Sequence, residues 1–167
     1  LMELLLEEEE IPLDLIHKTI REATIAQQIC PVLVGTAYRN KGVQCLLDAV
    51  ANYLPSPLDR EVFAKDNDDH QAKVQLYPDP GKPLVAMAFK LVEEPFGQVT
   101  FTRIYQGTLK KGEFYYNPRM RKRQRVSRIL RVHADQKEDI DAATAGDIVA
   151  LMGIECATGD TYCSEGI

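Results

Sequence analysis

The chain has 167 residues, of which 45% are hydrophobic and 27% charged. This composition supplies a folded core and excludes a disordered or low-complexity chain. No apolar run approaches the roughly 20 residues that a transmembrane helix needs, so no membrane partner is expected. The net charge of −5 conceals an asymmetry, because residues 83–131 carry +8 and residues 132–167 carry −7. The average charge therefore says little about the partner of the basic segment.

The cysteines and histidines are too scattered to indicate a disulfide framework or a metal site. The cysteines form no CxxC pair, and the histidines lie far apart in the chain. These residues are Cys30, Cys45, Cys156 and Cys163, with His17, His70 and His133. We therefore expect free thiols and no bound metal. No nucleophile-elbow, zinc-protease or Walker-type motif occurs, so no catalytic residue is predicted.

The first third of the chain, residues 1–57, has the pattern of an α/β unit. Pro12 suits the first turn of a helix, which should end before Pro31. Residues 32–34 are a short apolar run followed by glycine, which predicts a buried strand of a mostly parallel sheet. A second helix is predicted between Gly42 and Leu54, where apolar residues recur at helical spacing.

The composition changes after this unit. Residues 58–83 are polar and rich in proline without a regular period, which predicts a linker. From Leu84 the period becomes that of strands, which are expected at 84–92, 98–106, 113–117, 125–132, 147–154 and 160–163. Short strands separated by turns predict that residues 84–167 form a small β-barrel. The predicted fold class is an α/β piece followed by an all-β barrel.

A basic block occupies residues 119–131, which hold seven cations and no acid. Such a density repels itself unless anions or solvent surround it. Nucleic-acid phosphates are the usual anionic partner, and a solvated charged hairpin is the alternative. The cations are Arg119, Arg121, Lys122, Arg123, Arg125, Arg128 and Arg131.

Two further sets of side chains have a structural and a functional interpretation. Aromatic residues beside cations can stack on bases, although their strand spacing favours the barrel core. The aromatic set is Phe89, Phe96, Phe101, Tyr105, Phe114, Tyr115 and Tyr116. A group of carboxylates could suggest a hydrolytic pair or a metal site, but a solvated turn is the preferred interpretation. These are Asp135, Glu138, Asp139 and Asp141.

The loop after the predicted buried strand, residues 35–42, has the position and composition of a ligand site. In α/β sheets, ligands collect at the carboxyl ends of strands. A loop of small residues exposes backbone N–H groups there, and these can bond a carbonyl oxygen on a base. Any connecting loop of such a unit has the same spacing, so spacing alone leaves both interpretations open.

Strings in both halves of the chain resemble elongation factor G, a translational GTPase. VGTAYRNKGVQ from Val34, followed by LDAV and YLPSP, is similar to the end of its GTP-binding domain. AFK, FTR, YQG, RVHAD, AGDI and TGDT resemble the start of its second domain, a translation-factor β-barrel. The string FGQVT is closer to the mitochondrial-type branch, which some bacteria also carry.

The resemblance implies that Thr36 and Ala37 occupy the fifth guanine-nucleotide motif, whose backbone contacts the base. Threonine stands here in place of the usual serine. The phosphate-binding loop, the switch segments and the Asn-Lys-x-Asp motif are expected before Leu1. An acidic run at residues 7–10 and a first residue other than methionine agree with a cut inside a longer protein. GTP and magnesium are therefore expected in the parent protein, whereas this fragment should bind neither and should not hydrolyse GTP.

The resemblance also implies a ribosomal partner. The parent would move tRNA and mRNA through the ribosome, and the barrel would dock on rRNA and proteins of the small subunit. The expected location is the cytoplasm, or the mitochondrial matrix in a eukaryote. A relative active in ribosome recycling, release or ribosomal protection is an alternative, and so is a free-standing RNA-binding module. The residues expected to contact rRNA phosphates, on charge alone, are Arg119, Arg121, Lys122, Arg123, Arg125 and Arg128.

Overall fold

A computed structural model describes residues 6, 10–66, 72–95 and 97–164 of the chain. The chain divides into two compact units, Leu1–Ser56 and Pro57–Ile167. The described part of the first unit contains helix α1, a short 3-10 helix and helix α2. Their bounds are Leu13–Ile25 for α1, Ala37–Arg39 for the 3-10 helix and Val43–Tyr53 for α2.

Both predicted helices form, but α1 is shorter than its sequence pattern suggests. It ends at Ile25 instead of just before Pro31, because Gln27 adopts a left-handed φ of 59°. The N–H of Gln28 then donates to the carbonyl of Ala23 at 2.9 Å. This bond back across the last turn is the Schellman arrangement, which closes a helix and turns the chain away.

The buried strand predicted at residues 32–34 is wrong for this structure. These residues form no strand, and Val32 and Val34 are 85% and 94% exposed. A strand needs a neighbour to satisfy its backbone. Within the described part of the first unit, the β pairing consists of an isolated bridge between Thr36 and Lys41. The α/β interpretation is therefore supported here by its two helices alone.

The described residues of the second unit contain strands β1 to β12, and all of their pairings are antiparallel. Eight of the strands form one sheet in the order β7-β6-β12-β3-β4-β11-β8-β9, while β1 pairs with β2 and β5 with β10. The bounds are Val62–Lys65 (β1), Lys73–Leu76 (β2), Val85–Glu94 (β3), Gly97–Gln106 (β4), Thr108–Lys110 (β5), Phe114–Asn117 (β6), Lys122–Arg125 (β7), Arg128–His133 (β8), Gln136–Ile140 (β9), Ala142–Thr144 (β10), Ile148–Met152 (β11) and Thr161–Cys163 (β12).

The eight-stranded sheet curves around one apolar core. Laid flat, eight strands would extend over roughly 34 Å. Tyr115 of β6 and Ile129 of β8 nevertheless belong to one buried cluster, although strands β12, β3, β4 and β11 lie between β6 and β8 in the sheet. Leu109 of β5 and Ala143 of β10 lie in the same cluster. This curvature agrees with the β-barrel predicted from the short strands and turns.

Strand β4 shows the alternation that its sequence predicts. Thr100, Thr102 and Ile104 share one face and are fully buried, and Ile104 belongs to the main core. On the other face, Val99 packs with Leu130 in a second, smaller cluster. Both faces of the sheet are therefore covered near the start of this strand.

The segment predicted as a linker, residues 58–83, lies in the second unit, and the described residues within it are structured. Strands β1 and β2 pair within it, and the chain that follows is bonded to the barrel. The amide of Gln106 accepts a hydrogen bond from the N–H of Tyr77 and donates one to the carbonyl of Pro83, both at 3.0 Å. Residues 67–71 of this segment, with His70, lie outside the described residues. Strands β1 and β2 have only four residues each. Such short strands give no recognisable strand period in a proline-rich segment, so the sequence pattern did not reveal them.

The strand predicted at 125–132 is two strands that are separated by a break. Val126 and Ser127 lie between the end of β7 and the start of β8. The N–H of Val126 donates to the carbonyl of Glu113 at 3.0 Å, whereas the hydroxyl of Ser127 donates to the carbonyl of Met152 at 2.9 Å. The break therefore transfers the chain from its pairing with β6 to its pairing with β11.

Most of the aromatic set does not form the predicted core. Tyr115 is buried, but Phe89 and Phe114 are 38% and 62% exposed. Three others are half-buried: Phe101, Tyr105 and Tyr116. Phe96 lies outside the described residues. The core is mainly aliphatic, and its largest fully buried side chain is that of Tyr162, which was not among the aromatic residues predicted to form it.

Candidate nucleic-acid interface and nucleotide loop

Residues 36–41 form a small closed loop in the first unit. The backbones of Thr36 and Lys41 exchange two hydrogen bonds, at 2.9 and 3.1 Å. Between them, the 3-10 helix ends at Asn40, whose left-handed φ of 50° turns the chain back. A Cβ atom on Gly35 would lie 2.8 Å from the carbonyl oxygen of Lys41, so the closed loop requires glycine at this position.

The loop presents backbone donors to solvent. Ala37 and Tyr38 open the 3-10 helix, so their N–H groups have no acceptor within it. The side chain of Thr36 does not cap the helix, and Tyr38 is fully exposed. These donors have the chemistry needed to bond a carbonyl oxygen on a base. Guanine binding by Thr36 and Ala37 nevertheless stays a prediction.

The basic block is divided between a hairpin and the adjoining strand. Strands β6 and β7 form the hairpin, and residues 118–121 make its turn. Arg119 and Arg121 lie in the turn, Lys122, Arg123 and Arg125 lie on β7, and Arg128 and Arg131 lie on β8. The structure thus distributes the seven cations over the hairpin and β8, and the sheet order separates β7 from β8 by five strands.

Arg119 is held by a buried carboxylate. Its Nε donates to Asp160 Oδ1 at 2.5 Å, and its Nη2 donates to Asp160 Oδ2 at 2.8 Å. Asp160 is 4% exposed and also accepts hydrogen bonds from the side chain of Asn117 and the N–H of Ala157. The bonds from Arg119, with those from Ala157 and Asn117, lower the pKa of Asp160 to about 2. Arg119 therefore ties the hairpin turn to the barrel.

Three further cations of the block lie against carboxylates. Arg128 donates to both oxygens of Asp139, at 2.9 and 2.6 Å, and this contact lowers the pKa of Asp139. The other two pairs are Arg131 with Glu138 at 3.6 Å and Lys122 with Glu155 at 3.2 Å. All three pairs are partly exposed, so each adds little to stability, but each offsets positive charge locally.

Arg121 and Arg125 are cations of the block that contact no carboxylate among the described residues. Arg121 lies in the hairpin turn with a left-handed φ of 52°. The Nε of Arg125 donates to the carbonyl of Gly112 at 3.1 Å, which fixes the guanidinium without neutralising it. Arg121 in the hairpin turn and Arg125 on β7 therefore keep positive charges that no described carboxylate contacts.

The acidic partners of the block were missed from the sequence because they are distant along the chain. The preferred interpretation of Glu138 and Asp139 was a solvated turn, but both lie on β9, and the register of β8 with β9 brings them beside the arginines. Asp160 is separated from Arg119 by 41 residues. Only the pairing of strands brings these charges together, and no local pattern contains that information.

Other site chemistry is limited within the part of the chain that the structure describes. No group of three histidine, cysteine, aspartate or glutamate side chains there could hold a metal ion. The four cysteines are unpaired, and burial raises the pKa of the Cys163 thiol. None of the described helices has the length and apolar character that crossing a membrane requires.

Known proteins match both halves of the chain. A family model described as elongation factor Tu domain 2 matches residues 97–163. Elongation factor G of Rhodopirellula baltica is 59% identical over 98% of the chain. Elongation factor G 1 of Borreliella afzelii is 50% identical over 100%, and the mitochondrial elongation factor G-1 of Arabidopsis thaliana is 48% identical over 100%.

Along nearly its whole length, the chain is homologous to a segment of elongation factor G. The resemblance carried by its sequence strings is thereby confirmed over nearly its whole length. The chain spans only about a quarter of these relatives, covering 24%, 24% and 22% of their lengths. A crystal structure of a Thermus thermophilus protein has the same fold, with a TM-score of 0.69 and 24% identity, over 99% of this chain and 22% of that one.

Proposed function

We propose that this elongation factor G segment is part of a GTPase that moves tRNA and mRNA through the ribosome. The observation that carries the proposal is the 59% identity to an elongation factor G along 98% of the chain, which includes both units. The proposed partners are rRNA and proteins of the small ribosomal subunit, in the cytoplasm or the mitochondrial matrix. GTP and magnesium are proposed ligands of the longer protein, with magnesium held outside this segment.

The loop of residues 36–41 is the proposed contribution of the first unit to the guanine pocket. What supports it is the pair of exposed N–H groups at Ala37 and Tyr38, held by a closed loop of fixed shape. Backbone donors of this kind recognise a base through its carbonyl oxygen without needing a particular side chain. The hydroxyl of Thr36 is then dispensable, whereas the N–H of Ala37 is not.

Replacing Ala37 with proline in the full-length protein should weaken binding of GDP about two- to tenfold, the net value of one hydrogen bond. Proline removes the N–H but suits the first position of a helix. Thr36, with φ −134° and ψ 100°, already has the extended conformation that precedes proline. Titration of a fluorescent GDP analogue measures the change.

Thr36→Ala is the matched control, since it removes the hydroxyl and keeps the backbone donors. It should leave GDP affinity within about twofold of the wild type, because no hydrogen bond to the base is lost. If Thr36→Ala weakens binding and Ala37→Pro does not, the base is not bound by the backbone of this loop.

The barrel's proposed contact with rRNA phosphates centres on the hairpin of β6 and β7. Arg121 and Arg125 contact no carboxylate among the described residues, and their charge is therefore available to phosphate. Arg119, Lys122 and Arg128 already contact carboxylates and would have to share their donors. Arg123, on the outer face of β7, belongs to the same proposed contact.

Arg121→Gln should weaken binding of the chain to isolated small ribosomal subunits and lower the salt dependence of that binding by about one unit of slope, since one phosphate contact is lost. Lys73→Gln is the matched control, because Lys73 is an exposed cation on β2, outside the basic block. Sedimentation at several salt concentrations measures both quantities. Equal effects of the two substitutions would mean that the hairpin turn contacts no phosphate.

A further inference from the structure

The outer face of the β6–β7 hairpin combines two aromatic rings with two guanidinium groups. In the strand register, Phe114 lies opposite Arg125 and Tyr116 lies opposite Arg123. Side chains opposite each other in an antiparallel pair share one face of the sheet. These four side chains therefore form one patch, which we name the aromatic–arginine platform.

The platform faces solvent. Phe114 is 62% exposed, both arginines are exposed, and Tyr116 is half-buried. The alternate residues of the same two strands, Tyr115 and Gln124, are buried instead. The aromatic character of the platform is therefore not explained by core packing, which the inward-facing residues already provide.

The strands beneath the platform are fixed by the buried residues. The hydroxyl of Tyr115 accepts a hydrogen bond from the N–H of Lys110 at 2.8 Å, and burial raises the pKa of Tyr115 to about 12. The amide of Gln124 donates to the carbonyl of Glu155 at 2.7 Å and accepts from its N–H at 3.0 Å. Above them, the bond from Arg125 to the carbonyl of Gly112 holds one guanidinium in place.

We propose that the aromatic–arginine platform binds single-stranded RNA, with a base stacked on Phe114 and the neighbouring phosphates held by Arg123 and Arg125. Proteins bind single strands by combining aromatic faces, on which bases stack, with cations that follow the backbone. None of the four platform positions is acidic. The inference rests on the proposed function, in which this hairpin contacts RNA, and it adds that the RNA is single-stranded.

The test measures binding of a fluorescein-labelled decamer of oligoadenylate to the 167-residue chain by anisotropy. Phe114→Leu should weaken binding about tenfold, within the range found when a stacking side chain is removed. The salt dependence should stay unchanged, because no cation is lost. Phe63→Leu is the matched control, since Phe63 is 50% exposed on β1 and lies opposite Gln75 rather than an arginine. It should bind like the wild type.

A second variant reports on stacking directly. The chain contains no tryptophan, so Phe114→Trp places a single indole on the platform. Oligoadenylate should quench its emission, whereas inorganic polyphosphate, an anion without bases, should not. Quenching by polyphosphate or by oligoglutamate as strong as that by RNA would overturn the proposal in favour of a site for anions or acidic peptides.

The remaining outcomes separate the platform from the proposed function. Wild-type affinity in Phe114→Leu, or no binding of oligoadenylate by any variant, would overturn the platform. Binding to small ribosomal subunits that still depends on Arg121 would then leave the proposed function standing. If the wild-type chain does not bind small ribosomal subunits but still stacks oligoadenylate on Phe114, the result counts against the proposed function alone.

Discussion

Gly107→Ala should destabilise the second unit by about 2–5 kcal/mol, the sum of a left-handed conformation and an overpacked contact. Gly107 joins β4 to β5 with a φ of 80°. A Cβ atom there would lie 2.6 Å from both Leu84 Cα and the carbonyl oxygen of Lys82. Both neighbours are backbone atoms, so neither can move aside without displacing the start of β3.

The same glycine is tied in place by its own backbone. Its N–H donates to the carbonyl of Asp79 at 2.9 Å, and its carbonyl accepts from the N–H of Ala145 at 3.0 Å. Relieving the clash would therefore stretch contacts to two other segments. Urea denaturation followed by circular dichroism measures the free energy of unfolding.

Gly159→Ala is the matched control for Gly107→Ala. Gly159 also has a positive φ, 94°, but no atom lies within 4 Å of the position its Cβ would take. The control should cost about 1–2 kcal/mol, which is the conformational part alone. Equal losses for the two variants would show that residues 82–84 do not approach Gly107 this closely.

Asp160→Asn should cost about 2–3 kcal/mol of unfolding free energy at neutral pH, because charge-assisted hydrogen bonds to a buried carboxylate are lost. Asp160 accepts from Arg119, Asn117 and Ala157, which lie in the hairpin turn, at its base and before β12. Arg119 is partly exposed and can be solvated again, which keeps the loss below that of a fully buried pair.

The contribution of Asp160 should disappear in acid. Its pKa is about 2 in the folded chain, compared with 3.8 for an ordinary aspartate, the value expected in the unfolded chain. Because the folded value is the lower one, the stabilisation is present above pH 4 and is lost as the pH falls towards 2. The difference corresponds to about 2 kcal/mol. Between pH 5 and pH 2 the wild type should lose that much more stability than Asp160→Asn.

Asp139→Asn is the control for the carboxylate. Asp139 also forms a two-bond pair with an arginine, Arg128, but both side chains are about half exposed. Solvent screens such a pair, so the substitution should cost less than about 1 kcal/mol. A loss as large as that of Asp160→Asn would contradict the central role given to burial.

The sequence predicted those elements whose pattern is local. Helix α2 follows from apolar residues at helical spacing, and β4 follows from the alternation of side chains between Val99 and Tyr105. Strand β9 has no such pattern, because four of its five residues are exposed. Opposite charges face each other across its pairing with β8, and register alone brings those charges together.

The sequence predicted only part of the candidate site, because local patterns are visible in the sequence and strand register is not. The basic block is visible as composition, but the sequence does not show which of its cations face carboxylates. The aromatic run of β6 has rings at three consecutive positions, so alternation cannot show that Phe114 faces outward and Tyr115 inward. That distinction follows from which face of the hairpin packs on the core.

Determining the gene sequence upstream of the codon for Leu1 tests the proposed GTPase most directly. The proposal predicts an open reading frame that continues upstream and encodes a phosphate-binding loop and an Asn-Lys-x-Asp motif in frame with this chain. A reading frame that contains neither motif would contradict it. That result would also contradict the proposed guanine-binding role of Thr36 and Ala37. The basic hairpin would then remain as the candidate functional feature of the chain.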